Sequence, residues 1–329
     1  PGCRQLVVRC HSRARHEFRA VTALHALSQY GGSRAPPVAR PHLLIEDPAP
    51  LGQPFFVSDF VEGNLFFDAA FTDAPDQVHV VGTQSPRMGS MSMKPARAAP
   101  AVRTALQNAL VDMAAALHTI NLADAPGLAP DGEQLGGSLF SLTEISSQVY
   151  RASSKRAREE SRLASAMERL QSWLPSALPA GDQELACIVH GDLHAHHFIF
   201  KPTAAEIAPE IVAVCGWEDW AVGHPGADLA MLALPYVVPG TLITKHQGFG
   251  MPPARAALGL PSLEAFLERY VEQGGPPSVR EHFEYYMAHA CFRVAAAMSC
   301  RPDPTLDELN FAAQMAGAGV GCAQRYEKR

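Results

Sequence analysis

The side chains best suited to chemistry gather in one short stretch, Ile188-Val189-His190-Gly191-Asp192-Leu193-His194-Ala195-His196-His197-Phe198-Ile199-Phe200. One carboxylate and four histidines fall within eight residues. An aspartate so placed can take a proton from a hydroxyl; the simpler use is a loop carboxylate that caps backbone amides. The imidazoles suit zinc, copper or nickel, or they are loop side chains satisfied by water and backbone. Their order, Asp-x-His-x-His-His, matches no metallohydrolase signature.

The stretch itself reads as strand, polar loop, strand, because β-branched residues precede it and Phe-Ile-Phe follows. Buried strands would fix such a loop while it reaches solvent. A further strand is expected at residues 210–215, so the loop would belong to a hairpin over 188–216. Upstream, Leu6–Cys10 reads as a strand carrying Arg9. Residues 14–29 have Phe18, Val21, Leu24 and Leu27 at helical spacing, with Glu17 in the first turn. There Glu17 either complements the helix dipole or pairs with Arg9. Strands are expected at 42–47 and 54–61, with a turn at Glu62-Gly63-Asn64. A small sheet with one helix packed on it follows.

Residues 82–100, rich in Gly, Ser, Met, Pro and Ala, read as a loop or insertion. Helices are expected from 101 to 118, from 142 to 174 in one or two pieces, from Asp228 onward, and at 262–273, 278–299 and 305–322. Asp228 is expected to cap its helix. Tyr285, Tyr286 and His289 are expected on a packed helix face. The fold class is therefore α+β: a β-rich N-terminal lobe over residues 1–64, incomplete at its start, with a hinge near 58–63, and a mainly helical lobe over 65–329.

Hydrophobic residues make up 47% of the chain and charged residues 18%, enough for a sizeable core. The net charge of −6 argues against a nucleic-acid partner reached by bulk electrostatics. The basic run Arg151 to Arg158 is offset by Glu159 and Glu160 and reads as a solvated helix face. No apolar run reaches the roughly 20 residues of a membrane helix. Seven scattered cysteines without a C-x-x-C pair read as reduced thiols of a cytoplasmic or organelle-matrix protein.

Several of these stretches together resemble one family. His190-Gly191-Asp192-Leu193-His194 is similar to the opening of the catalytic loop in the aminoglycoside-phosphotransferase-like group, small-molecule kinases with a protein-kinase-like two-lobed fold. Val214-Cys215-Gly216-Trp217-Glu218 and Gly223-His224-Pro225-Gly226-Ala227-Asp228-Leu229-Ala230 resemble its D-W-E…G-D-P…D-L-A stretch. Residues 46–57 and Val61-Glu62-Gly63 resemble its hinge region, Ala116-Leu117-His118 the end of a family helix, and Phe292-Arg293-Val294-Ala295 a late family motif. The closest likeness is to the type associated with acyl-CoA dehydrogenases. The resemblance implies ATP-dependent transfer of the γ-phosphate, with Mg, to a small-molecule hydroxyl, a hydroxyacyl-CoA among the candidates, and fusion or association with an acyl-CoA dehydrogenase.

By the same resemblance Asp192 is the base and His190 supports the loop. Arg9 is the phosphate cation with Glu17 as its partner, and Asp59, Phe60 and Val61 form the adenine hinge through backbone groups. The chain departs from the family at both metal ligands. His197 stands at the family's asparagine and Gly216 at its aspartate, and His224 replaces the Asp of G-D-P. Strand alternation favours Glu218 as a substitute ligand, with His197 as the other. No lysine precedes Lys94 and no Gly-rich phosphate loop is visible. Two functions follow: a small-molecule kinase, or a catalytically impaired binding or regulatory module of the same fold.

Overall fold

A computed structural model describes residues 4–29, 34–66, 71, 100–128, 139–151, 153, 159–180, 185–201, 209–237 and 256–329. Residues 82–99 of the Gly- and Ser-rich stretch and residues 154–158 of the basic run lie outside the described residues. In chain order the elements are β1 (Leu6–Cys10), α1 (Ala14–Ser28), β2 (Pro41–Ile45), β3 (Phe55–Asp59), α2 (Pro100–His118), α3 (Leu139–Arg151), α4 (Ser161–Ser176), β4 (Cys187–Val189), β5 (Phe198–Phe200), β6 (Ile211–Val214), β7 (Ala221–Gly223), α5 (Pro225–Ala233), α6 (Leu263–Glu272), α7 (Pro277–Glu281), α8 (Phe283–Ser299) and α9 (Leu306–Tyr326). Helices and small antiparallel sheets make this an α+β chain. Packing divides it into two units, one of residues 1–129, 190–220 and 252–274, the other of residues 130–189, 221–251 and 275–329.

In the first unit β1, β3 and β2 form an antiparallel sheet in that order, with Arg9 opposite Phe56 and Leu6 opposite Asp59. The two-residue period of a strand puts Val7 and Arg9 on one face. Helix α1 packs on β2 and β3 through Ala20, Val21, Leu24 and Leu27, all buried. Its hydrophobic stripe at 3.6-residue spacing is what the sequence predicts. Elsewhere in this unit α2 meets α6. Arg269 forks onto Asp112 at 2.6 and 2.6 Å, and His118 Nδ1 is hydrogen-bonded to the Tyr270 hydroxyl at 2.8 Å.

The second unit is built on α3, α4, α8 and α9, with α8 against α9 and α4. Tyr285 and Tyr286 are buried on α8, and the Tyr285 hydroxyl donates to the Leu174 carbonyl at 2.9 Å. They sit on a packed helix face, as expected. Helix α9 starts with a capping box of Thr305 and Glu308, each satisfying an end-of-helix amide. Helix α5 is buried along its whole length. Its N-cap is His224, whose Nδ1 accepts from the Gly226 amide at 3.0 Å. Asp228, expected to cap this helix, lies one turn inside it and is fully buried.

The loop of interest differs from a hairpin tip. Strand β4 before it pairs with β7, and β5 after it pairs with β6. Its flanking strands do not pair with each other, so residues 190–197 link two separate ribbons. The hairpin within 188–216 is formed by β5 and β6 alone.

Candidate active site

Four segments of the first unit make the site: β1, the start of α1, the loop 190–197, and the turn 216–219. Gly191 and Gly216 let the last two approach. Gly191 has a φ of +86°, and a Cβ there would lie 1.9 Å from the Asp219 carbonyl oxygen. Only glycine fits that backbone-to-backbone contact. The strand expected to carry Glu218 ends at Val214, and Trp217–Asp219 form a 3-10 turn. Strand alternation therefore does not orient Glu218.

His190 is fully buried. Its Nε2 lies 2.9 Å from the Cys215 carbonyl, which can only accept, so Nε2 carries the proton. That leaves Nδ1 to accept from the Asp192 amide at 3.4 Å. The histidine thereby ties the Asp192 backbone to the end of β6. The Asp192 side chain is 43% exposed, and its Oδ1 accepts from His194 Nε2 at 3.0 Å. The loop therefore presents an oriented, solvent-open carboxylate.

Glu17 is the buried hub, at 1% exposure. It accepts from Arg9 Nε at 2.9 Å, from His11 Nε2 at 2.8 Å and from the Trp217 amide at 3.3 Å. Arg9 also donates to Glu218 at 2.7 Å. Burial works against the Arg9 charge, but Glu17 and Glu218 outweigh it and hold the guanidinium pKa above its ordinary range. Arg9, Glu17 and Glu218 therefore come together. His11, which the sequence reading passed over, joins them; the only hint was its place two residues past Arg9.

Beside this cluster lies a cleft. Val7 and Ala39 line it together with Val61, Ile199 and Val214, and Arg9 and Glu17 stand in its wall. An apolar slot with a cation in its wall can hold a flat aromatic base with an anionic tail. Asp59 and Val61 line it as well. The amides of Asp59 and Phe60 are already bonded to the carbonyls of Arg40 and Gln5, at 2.9 and 3.2 Å. The Asp59 carboxylate is held outside the ordinary range, downward, chiefly by its fork to Arg4 and also by His42.

The two positions that the resemblance gives to a metal do not fit one. Gly216 has no side chain and a φ of +85°. A Cβ there would lie 2.7 and 2.8 Å from Cδ2 and Nε2 of His197, so the imidazole fills the space of a ligand at 216. Burial, helped by His190, His196 and His194, pushes the His197 pKa well below its ordinary value. Mg seeks hard oxygen ligands in an octahedron, and these positions supply none. Among the described residues one other group has ligand atoms within 4.8 Å of one another, His11, Glu17 and Glu218. Arg9 already donates to both carboxylates there.

The six described cysteines are free, and no described helix is long and apolar enough to cross a membrane. Over 282 residues the chain is 28% identical to acyl-CoA dehydrogenase family member 10 of Mus musculus; the match covers 86% of this chain and 22% of that protein. The chain thus spans less than a quarter of that relative's length. A crystal structure of a Ralstonia eutropha protein named as an aminoglycoside phosphotransferase superposes with a TM-score of 0.71 at 25% identity, covering 97% of this chain and 86% of the other. A thermostable mutant of aminoglycoside phosphotransferase APH(4)-Ia, crystallised with AMP-PNP and hygromycin B, shares the fold at a TM-score of 0.56 and 12% identity, covering 98% and 87%. The phosphotransferase enzyme family matches residues 1–282, and the chain, with its kinase-like fold, belongs to that family.

Proposed function

We propose that this chain is an ATP-dependent phosphotransferase acting on a small-molecule hydroxyl, with Asp192 as its base. What carries the reading is the pairing, in one unit, of an apolar slot that has Arg9 in its wall with a loop that presents one oriented, open carboxylate. The adenine ring lies in the slot between Val7 and Ile199, with the hinge segment 59–61 along its edge. Arg9 receives the phosphate charge, held in place by Glu17. Asp192 takes the proton of the acceptor hydroxyl as that oxygen bonds to the γ-phosphorus and ADP leaves. Proton transfer of this kind is worth about 10²–10⁴ in rate. The likeness to acyl-CoA dehydrogenase family members leads us to place the acceptor among hydroxyacyl-CoA esters and the working partner among acyl-CoA dehydrogenases.

A second reading, a nucleotide-binding regulatory module, is favoured by the imidazole that fills the Gly216 position. Turnover separates the two. With ATP and a panel of hydroxyacyl-CoA esters, the first reading expects ADP and phosphorylated ester, and Asp192→Asn is expected to lower the rate by about 100-fold or more. Turnover that survives Asp192→Asn would sink the assignment of the base. Binding without any turnover would leave the regulatory module.

A further inference from the structure

His197 and Gly216 lie nineteen residues apart in sequence but compete for one volume. The ring of His197 is bracketed by His190 and His196, with centroids at 4.8 and 4.3 Å. Its Nδ1 is buried and has no hydrogen-bond partner. The backbone fixes it there as well, since the Cys215 amide donates to the His197 carbonyl at 2.9 Å. Of the nearby carboxylates, Asp192 Oδ1 is bonded to His194 and Glu218 Oε1 to Arg9.

We infer that His197 and Gly216 interlock in place of a metal cradle, so that nucleotide binds here without a divalent cation held by the catalytic loop. The inference rests on the nucleotide reading above, in which Arg9 meets the phosphates, and adds that no metal at 197 and 216 shares that charge. A side chain at 216 and the ring at 197 exclude each other, so changing 197 as well relieves the clash, while the positive φ at 216 strains a side chain there in either background.

The test uses the full chain in three arms. First, AMP-PNP is titrated by calorimetry in EDTA and in MgCl2; the dissociation constants of the native chain are expected to agree within about threefold. Tighter binding in MgCl2 by about tenfold or more, lost in His197→Ala, would overturn the inference. Second, MnCl2 alone is titrated and followed by electron paramagnetic resonance. Mn bound by the native chain and released by His197→Ala would overturn it. Mn binding that His197→Ala leaves unchanged but Asp192→Asn removes is held by the catalytic loop and would overturn it as well; Mn binding that neither variant changes lies elsewhere and supports it, as does new binding in His197→Asn/Gly216→Asp.

Third, Gly216→Asp alone is expected to lower the melting temperature by about 5 °C or more, and by a smaller amount in the His197→Asn background, where the strain of the positive φ remains but the clash with the ring is gone. Gly216→Ala with and without His197→Ala repeats this arm should the aspartate variant fail to fold. Additive shifts would overturn the interlock. Absence of nucleotide binding in both buffers would count against the nucleotide reading, and the second and third arms would still decide the interlock.

Discussion

At the scale of single residues, Glu17 shows how much one buried charge can organise. It is shielded from water and accepts from a guanidinium, an imidazole and a main-chain amide. Removing Arg9 leaves that charge without its main partner. Arg9→Met is expected to cost on the order of 3 kcal/mol in urea unfolding and to weaken AMP-PNP binding. Arg9→Lys restores only part of either, because an ammonium cannot fork onto Glu17 and Glu218 together. Gly191→Ala is a separate case. It forces a left-handed backbone and drives a Cβ into the Asp219 carbonyl, and thermal unfolding is expected to show a loss of about 2 kcal/mol or more. Arg9, Glu17 and Asp192 were legible in the sequence because strand and helix periodicity and a local motif place them. The displacement of a ligand at 216 by His197 was not, because it depends on a positive φ and on a contact nineteen residues away.

At the scale of elements, helix α1 is clamped onto the turn after β6. His16 stacks on Trp220 with centroids 4.8 Å apart. His16 Nε2 donates to the Trp220 carbonyl and Trp220 Nε1 to the His16 carbonyl, both at 2.9 Å. Arg13 pairs with Asp219 on the same edge. The loop 190–197 gives this unit a pH dependence. Burial, aided by His194, lowers the His196 pKa from 6.5 to about 4. Between those values the unfolded chain binds the proton and the folded chain does not, so stability is lost as pH falls from 6.5 toward 4. Equilibrium unfolding across that range should show the decline, and His196→Gln should make it shallower, the remainder coming from His197; equal slopes in both proteins would refute this assignment. The longer helices were legible through their apolar positions, whereas the break between α7 and α8 within 278–299 was not. The partners of β4 and β5 were not, since three-residue strands have too little pattern to specify register. The helix cap passed from Asp228 to His224 because Pro225 opens the helix, a position proline favours.

At the scale of the whole molecule, the α+β class and the kinase-like fold were visible because several separated motifs, each weak alone, occur in the family's order. Residues 58–63 were read as a hinge from the resemblance alone. The bonds already made by the Asp59 and Phe60 amides depend on the segments leading into β2 and β1, which residues 58–63 themselves do not reveal. Ligand binding to the folded state alone raises stability, by about 2.7 kcal/mol at a hundredfold excess over the dissociation constant. ATP is therefore expected to raise the melting temperature of the native chain and to raise that of Arg9→Met far less. The central claim, that the cleft beside Arg9 is the nucleotide site, is tested most directly by calorimetric titration of AMP-PNP into the native chain and into Ala39→Trp, whose indole fills the slot. The account predicts one-to-one binding by the native chain and its loss in a folded Ala39→Trp protein. No binding by the native chain, or equal binding by both, would contradict it.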